Sequence, residues 1–170
     1  MTSESARVTT AAESKFRIDA PNSKPRAIKV IALDKLSEQV VKRLAKSAWN
    51  RASFFTSLHF DSTPKSGADW SMKAWLSDLA GRTKNLVDEI NTADLVVMVS
   101  TVGEKAEAAP VIGEACHLKR VMTTALILDR GSKSDEALSH TLAQLRPYAS
   151  MIVVADDENY IDSMLVALRA

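Results

Sequence analysis

From residue 27 onward the chain alternates between short apolar blocks and longer stretches whose apolar side chains recur at helical spacing. Residues 27–33 (AIKVIAL), 53–60 (SFFTSLHF), 93–100 (ADLVVMVS), 121–128 (VMTTALIL) and 151–155 (MIVVA) read as five strands. The third is apolar from Leu95 to Val99, the mark of a strand buried on both faces of a sheet. Between these blocks, Leu36, Val40, Leu44 and Ala48 form one inward stripe, and Leu86, Val87 and Ile90 another, in a helix over residues 83–91. Pro110 fits the first turn of a helix running to about Lys119, with Val111, Ala115 and Leu118 inward. Ser132 and Asp135 form a capping pair ahead of a helix carrying Leu138, Leu142 and Leu145. A terminal helix, capped by Asp156 or Asp157, turns Ile161, Met164, Leu165 and Leu168 inward. Residues 61–79 are irregular, with a short helix carrying Trp70 and Trp75.

Buried strands alternating with helices predict an α/β fold: a doubly wound, mostly parallel, five-stranded Rossmann-like sheet with helices on both faces. Residues 26–170 make this single domain. Residues 1–25, rich in Ser, Thr and charge and closed off by Pro21 and Pro25, read as a flexible tail whose removal should leave the fold intact. In such folds ligands sit beyond the carboxyl ends of the strands, where strand order reverses. Function is therefore to be sought in the loops 34–37, 101–108, 129–133 and 156–159.

Composition narrows the classes. Of 170 residues, 46% are hydrophobic and 25% charged, and 22 basic against 21 acidic side chains leave a net charge of +1. That balance lacks the basic excess of a nucleic-acid binder. No apolar run approaches the roughly 18 residues of a membrane span, so no membrane partner is expected. The single cysteine, Cys116, permits no internal disulfide, suits the cytoplasm, and reads as a small buried hydrophobe. His59, His117 and His140 lie far apart without metal-ligand spacing, so no metal site is assigned. No nucleophile elbow, P-loop, HExxH or CxxC occurs. No catalytic residue is assigned, and an enzyme is the less favoured reading.

The first strand-to-helix turn, Ala32-Leu33-Asp34-Lys35-Leu36-Ser37-Glu38, contains no glycine, although nucleotide folds place glycines there so that backbone N–H groups can reach a phosphate. The loop after the third strand keeps only Gly103 and carries Glu104 and Glu107. GTP and ATP are therefore not expected to bind in the standard way, and no cofactor is assigned. The carboxylates Asp34, Asp129, Asp156 and Asp157 read first as caps of the helices that follow them, with Asp34 and Asp157 the best placed to do more.

Several blocks resemble the nucleotide domain of the tubulin/FtsZ family: "IKVI" leading into "EQVVKRL", "ADLVVMVS", "AAPVIGEAC", "VMTTALIL" and "YASMIVVADDENYIDSM". The resemblance spans roughly residues 27–170 and is best from 93 to 128. It implies a GTPase-derived fold whose glycine-rich phosphate loop is replaced by "VGEKAE". It therefore implies a non-catalytic, FtsZ-like interaction or accessory subunit that has lost its GTPase machinery. Its partner would be another protein or a second copy, through an interface centred on Trp70, Met72 and Trp75. The alternative is a nucleotide- or cofactor-binding module with a non-standard site at the strand carboxyl edge, formed by Asp34, Ser100, Thr101, Gly103 and Lys105.

Overall fold

The computed structural model describes residues 24–57, 75–80, 82–131 and 134–170. They form one seven-stranded sheet covered by helices on both faces. In chain order the elements are β1 (Ile28–Ala32), α1 (Lys35–Leu44), β2 (Ala52–Thr56), β3 (Trp75–Asp78), β4 (Thr83–Asn85), α2 (Leu86–Asn91), β5 (Leu95–Thr101), α3 (Ala109–Lys119), β6 (Met122–Leu128), α4 (Asp135–Leu145), a 3-10 turn (Arg146–Tyr148), β7 (Met151–Ala155) and α5 (Asn159–Ala167). The sheet order is β4-β3-β2-β1-β5-β6-β7. The pairs β2/β1, β1/β5, β5/β6 and β6/β7 are parallel, whereas β3 and β4 join antiparallel at one edge.

Counting only the parallel strands, the order is 2-1-3-4-5, the flavodoxin-like order of doubly wound sheets. Its switch point lies between β1 and β5. The central strand β5 is buried at all seven positions, and alternation sends its side chains to two separate cores. Leu95, Val97 and Val99 pack with Val40, Leu44, Ile161 and Leu165 under α1 and α5. Val96 and Met98 pack with Ile90, Ile112, Cys116 and Leu145 under α2, α3 and α4. Each such side chain contributes roughly 1.5–3 kcal/mol on burial.

The doubly wound, mostly parallel architecture is as expected, but the sheet has seven strands rather than five. Trp75 opens a strand instead of sitting in a helix, and residues 83–85 extend as β4 before α2 starts at Leu86. Strands of three or four residues are too short to display a period of two. The hairpin is fixed instead by Asp78, whose carboxylate accepts hydrogen bonds from the Ala80 and Arg82 main-chain N–H groups and from Arg82 Nε. Asn85 caps α2 by accepting from the N–H groups of Val87 and Asp88. Ser134 caps α4, accepting from the Ala137 N–H, while Ser132 lies outside the described residues. On α3 the buried face holds Ile112, Gly113, Ala115 and Cys116, and Leu118, expected inward, is 69% exposed. The helix is apolar on most sides, so its pattern did not fix its rotation. Residues 1–23 of the tail, Trp70 and Met72 fall outside the described residues, and Trp75 is described only by its backbone place in β3.

Among the described residues no helix is long and apolar enough to cross a membrane. None of their His, Cys, Asp and Glu side chains cluster in a group of three able to hold a metal ion.

Candidate functional site

Just past the ends of the two central strands, the chain leaves the sheet in opposite directions. β1 turns into α1 through Leu33 and Asp34, and β5 turns toward α3 through residues 102–108. The sheet continues briefly into both loops, with Leu33 N–H donating to Val99 C=O and Val102 N–H to Leu128 C=O.

Asp34 spans this gap. It is the N-cap of α1, and its Oδ1 accepts from the Ser37 N–H at 2.8 Å. The same carboxylate reaches β5, where Oδ2 accepts from the Thr101 N–H at 2.8 Å and Oδ1 from Thr101 Oγ1 at 3.1 Å. Ser37 completes a capping box through its hydroxyl, which accepts from the Asp34 N–H at 3.1 Å. Asp34, Ser37 and Thr101 are all buried. Three donors thus converge on one carboxylate, which joins the ends of β1 and β5.

Ser100 precedes Thr101 and faces the other side of the sheet, toward the core beneath α3. It is fully buried, and its hydroxyl has no hydrogen-bond partner. Buried hydroxyls without partners are rare, and each calls for an explanation. Gly103 follows with φ of 80° and donates its N–H to Thr141 Oγ1 on α4 at 3.0 Å. That φ lies in the left-handed region that glycine adopts without a Cβ clash. Lys105 is exposed, 3.9 Å from Glu107.

The structure therefore brings Asp34 and Thr101 together at the switch point, leaves Ser100 on the opposite face of β5 within the core, and ties Gly103 to α4. It places Lys105 farther out, on a groove of about 500 Å³ shared with His140, Gln144 and Tyr148. Ser37 and Thr141 were missed by sequence reasoning. The Ser37 signal was present, three residues after an N-cap aspartate. Thr141 belongs to a distant helix, and no local pattern announces it. A second groove of about 540 Å³ lies at the other end of α3, where Gly113, His117, Thr123 and Tyr148 meet.

Of the other carboxylates singled out in the sequence, Asp129 and Asp157 act locally. Asp129 accepts from the Gly131 N–H at 2.9 Å rather than capping α4. Asp157 accepts from the Asn159 N–H at the start of α5. Glu158 pairs with Arg130 at 2.8 Å and lies near Arg43. Burial pushes the Cys116 thiol up to about 12, which removes it as a nucleophile at neutral pH.

A phosphate does not fit the first turn of α1. The Ser37 N–H that would face it already points at the Asp34 carboxylate, and Glu38 adds a second acidic group in the same turn. The glycine-free turn is therefore filled by the chain's own anion.

No family model matches the chain, and no curated protein matches it. Solved structures do. The apo-form of the flavoprotein from Lactobacillus acidophilus NCFM is 13% identical, over 82% of this chain and 97% of that one, with a TM-score of 0.49. A flavoprotein from the same organism in complex with FMN is 11% identical, over 82% and 99%, with a TM-score of 0.47. A putative flavoprotein from Bacteroides eggerthii DSM 20697 is 13% identical, over 85% and 99%, with a TM-score of 0.46. The parallel strands run in the flavodoxin-like order, and this corrects the tubulin/FtsZ resemblance and the FtsZ-like interaction subunit it implied. The blocks that carried the resemblance are β1, β5, β6, β7, α1, α3 and α5. Any doubly wound sheet demands apolar strands and amphipathic helices at those places, so the architecture accounts for their likeness.

Proposed function

We propose that the protein is a cofactor-binding module that holds a flavin- or nucleotide-type ligand at the switch point between β1 and β5, in a non-standard mode. The observation that carries this reading is the strand order, which opens a switch point between β1 and β5, with the buried Ser100 hydroxyl, unpartnered within the protein, beside it at the end of the central strand. Sheets of this strand order take FMN at this point, beyond the carboxyl ends of the strands. Thr101 and Gly103 supply the β5 side of the site, Lys105 its outer rim, and Asp34 fixes the β1 side. The chain's contribution is to bind and orient. Asp34 holds the two strand ends at a fixed separation, and Ser100 offers one hydrogen bond that the fold itself leaves unused.

The test is titration of the full chain with riboflavin, FMN, adenosine and AMP, followed by flavin fluorescence and by calorimetry. At least one is expected to bind with 1:1 stoichiometry, and Ser100→Ala is expected to weaken it about tenfold, as for one lost hydrogen bond of ~1.4 kcal/mol. The same variant should leave the unliganded protein as stable as before, because it removes a hydroxyl that bonds to nothing. Absence of binding by all four compounds, or a Ser100→Ala variant that binds as well as wild type, would overturn the proposal.

A further inference from the structure

Resting on that reading, we infer that the site selects a ligand without a phosphate at the first turn of α1, of the riboflavin or nucleoside class, because Asp34 occupies the anion seat from within. The seat consists of the Ser37 N–H, the Thr101 N–H and the Thr101 hydroxyl, at 2.8, 2.8 and 3.1 Å from the Asp34 carboxylate. These donors come from two elements that are adjacent only because β1 and β5 flank the switch point. A helix N-terminus facing a strand end in this fold is where a phosphate is otherwise received. Here the acceptor is covalently part of the chain, only 5% exposed, and already saturates the donors. A ligand phosphate would have to displace a buried carboxylate and then lie beside it. Glu38, ion-paired with Lys42, places a second carboxylate in the same turn. A neutral ligand end meets neither obstacle.

Riboflavin and FMN share one ring system and differ by the phosphate, so the pair isolates this effect. Wild type is expected to bind riboflavin at least tenfold more tightly than FMN. Asp34→Ser keeps an N-cap oxygen but withdraws the carboxylate. In that variant the ratio should collapse toward one, and inorganic phosphate, expected to leave the wild-type melting temperature unchanged, should raise the variant's melting temperature. If Asp34→Ser does not fold, Asp34→Asn keeps both shape and cap, and it must narrow the ratio through loss of charge alone. Wild type binding FMN as tightly as riboflavin overturns the inference while the proposed cofactor module stands. A phosphate-induced rise in Asp34→Ser, with neither flavin bound by wild type, supports the occupied seat and removes the flavin. A folded Asp34→Ser that gains no phosphate effect overturns the seat.

Discussion

At the scale of single residues, two positions under α3 show how tightly this side of the fold is drawn together. A Cβ built on Gly113 would lie 2.5 Å from Tyr148 Cβ and 3.1 Å from its Cα. The obstacle is not the far end of a flexible side chain, so the helix or the 3-10 turn would have to move. Gly113→Ala is expected to destabilise the protein by about 1–3 kcal/mol despite the better helix propensity of alanine, read as a lower urea midpoint with unchanged slope. One turn along, Cys116 is fully buried, and its thiol is held near 12, well above its usual 9.0, by loss of solvation. Between those values the folded chain keeps a proton that the unfolded chain has released. Stability from this group is therefore complete below pH 9 and declines as pH rises toward 12, by at most ~1.4 kcal/mol per pH unit. Urea titrations at pH 8 and pH 10 should show a smaller loss in Cys116→Ala than in wild type. The native thiol should also resist a disulfide reagent at pH 8 until urea unfolds the chain.

At the scale of elements, the legible parts were those whose residues face one uniform environment. β1, β5, β6 and β7 were readable because a parallel strand under two helical layers needs apolar side chains on both faces. The Asp34 cap was readable because capping is local. The β3–β4 hairpin was not, since its pairing is held by one side chain in a turn. The Arg82 main-chain N–H on the Asp78 carboxylate, with the Arg82 guanidinium beside it, keeps that carboxyl below its usual range. The hairpin contact is thus present at neutral pH and fades as pH falls through the lowered value. Asp78→Ala should speed amide exchange in Leu76, Ser77 and Lys84 at pH 7, and the difference from wild type should shrink under acid conditions. Nor did the sequence announce that Lys29, in the middle of an apolar strand, reaches Glu89 of α2 at 2.8 Å and lies 5.8 Å from the Phe55 ring. The two lie 60 residues apart, and only the completed sheet brings them together. Removing one partner leaves a largely buried charge, so Glu89→Ala should cost about 1–3 kcal/mol. Lys29→Met with Glu89→Leu should come back close to wild type, because an apolar pair avoids the desolvation penalty. Equilibrium unfolding of the three proteins checks this.

At the scale of the whole molecule, the candidate site is a property of strand order. Asp34 and Thr101 are 67 residues apart, and each looks ordinary in its own segment. Their meeting follows from β1 pairing with β5 while β2 lies on the other side. The sequence disclosed the missing glycines, but it could not disclose that the place they would open is filled by a carboxylate from the same chain. The carboxyl edge also bears Glu104, Glu107, Asp129, Asp156 and Asp157 on its loops, outnumbering Lys35 and Lys105 there, while Lys42 is engaged by Glu38 and Arg130 and Arg43 by Glu158. A polyphosphate approaching that edge meets an acidic rim and finds its helix N-terminus already capped. A nucleoside triphosphate present at 100 times its dissociation constant would stabilise the folded chain by about 2.7 kcal/mol, enough to move the melting temperature by several degrees. Millimolar ATP or GTP with Mg²⁺ is instead expected to move it by less than about one degree, since weak binding adds little to stability. Raising the salt concentration would screen the rim without freeing the N-terminus of α1, so the shift should remain absent there too. Differential scanning fluorimetry at low and high salt separates the two causes. A shift that appears only at high salt would assign the exclusion to the rim, and a shift at both would show that Asp34 does not close the site to phosphate.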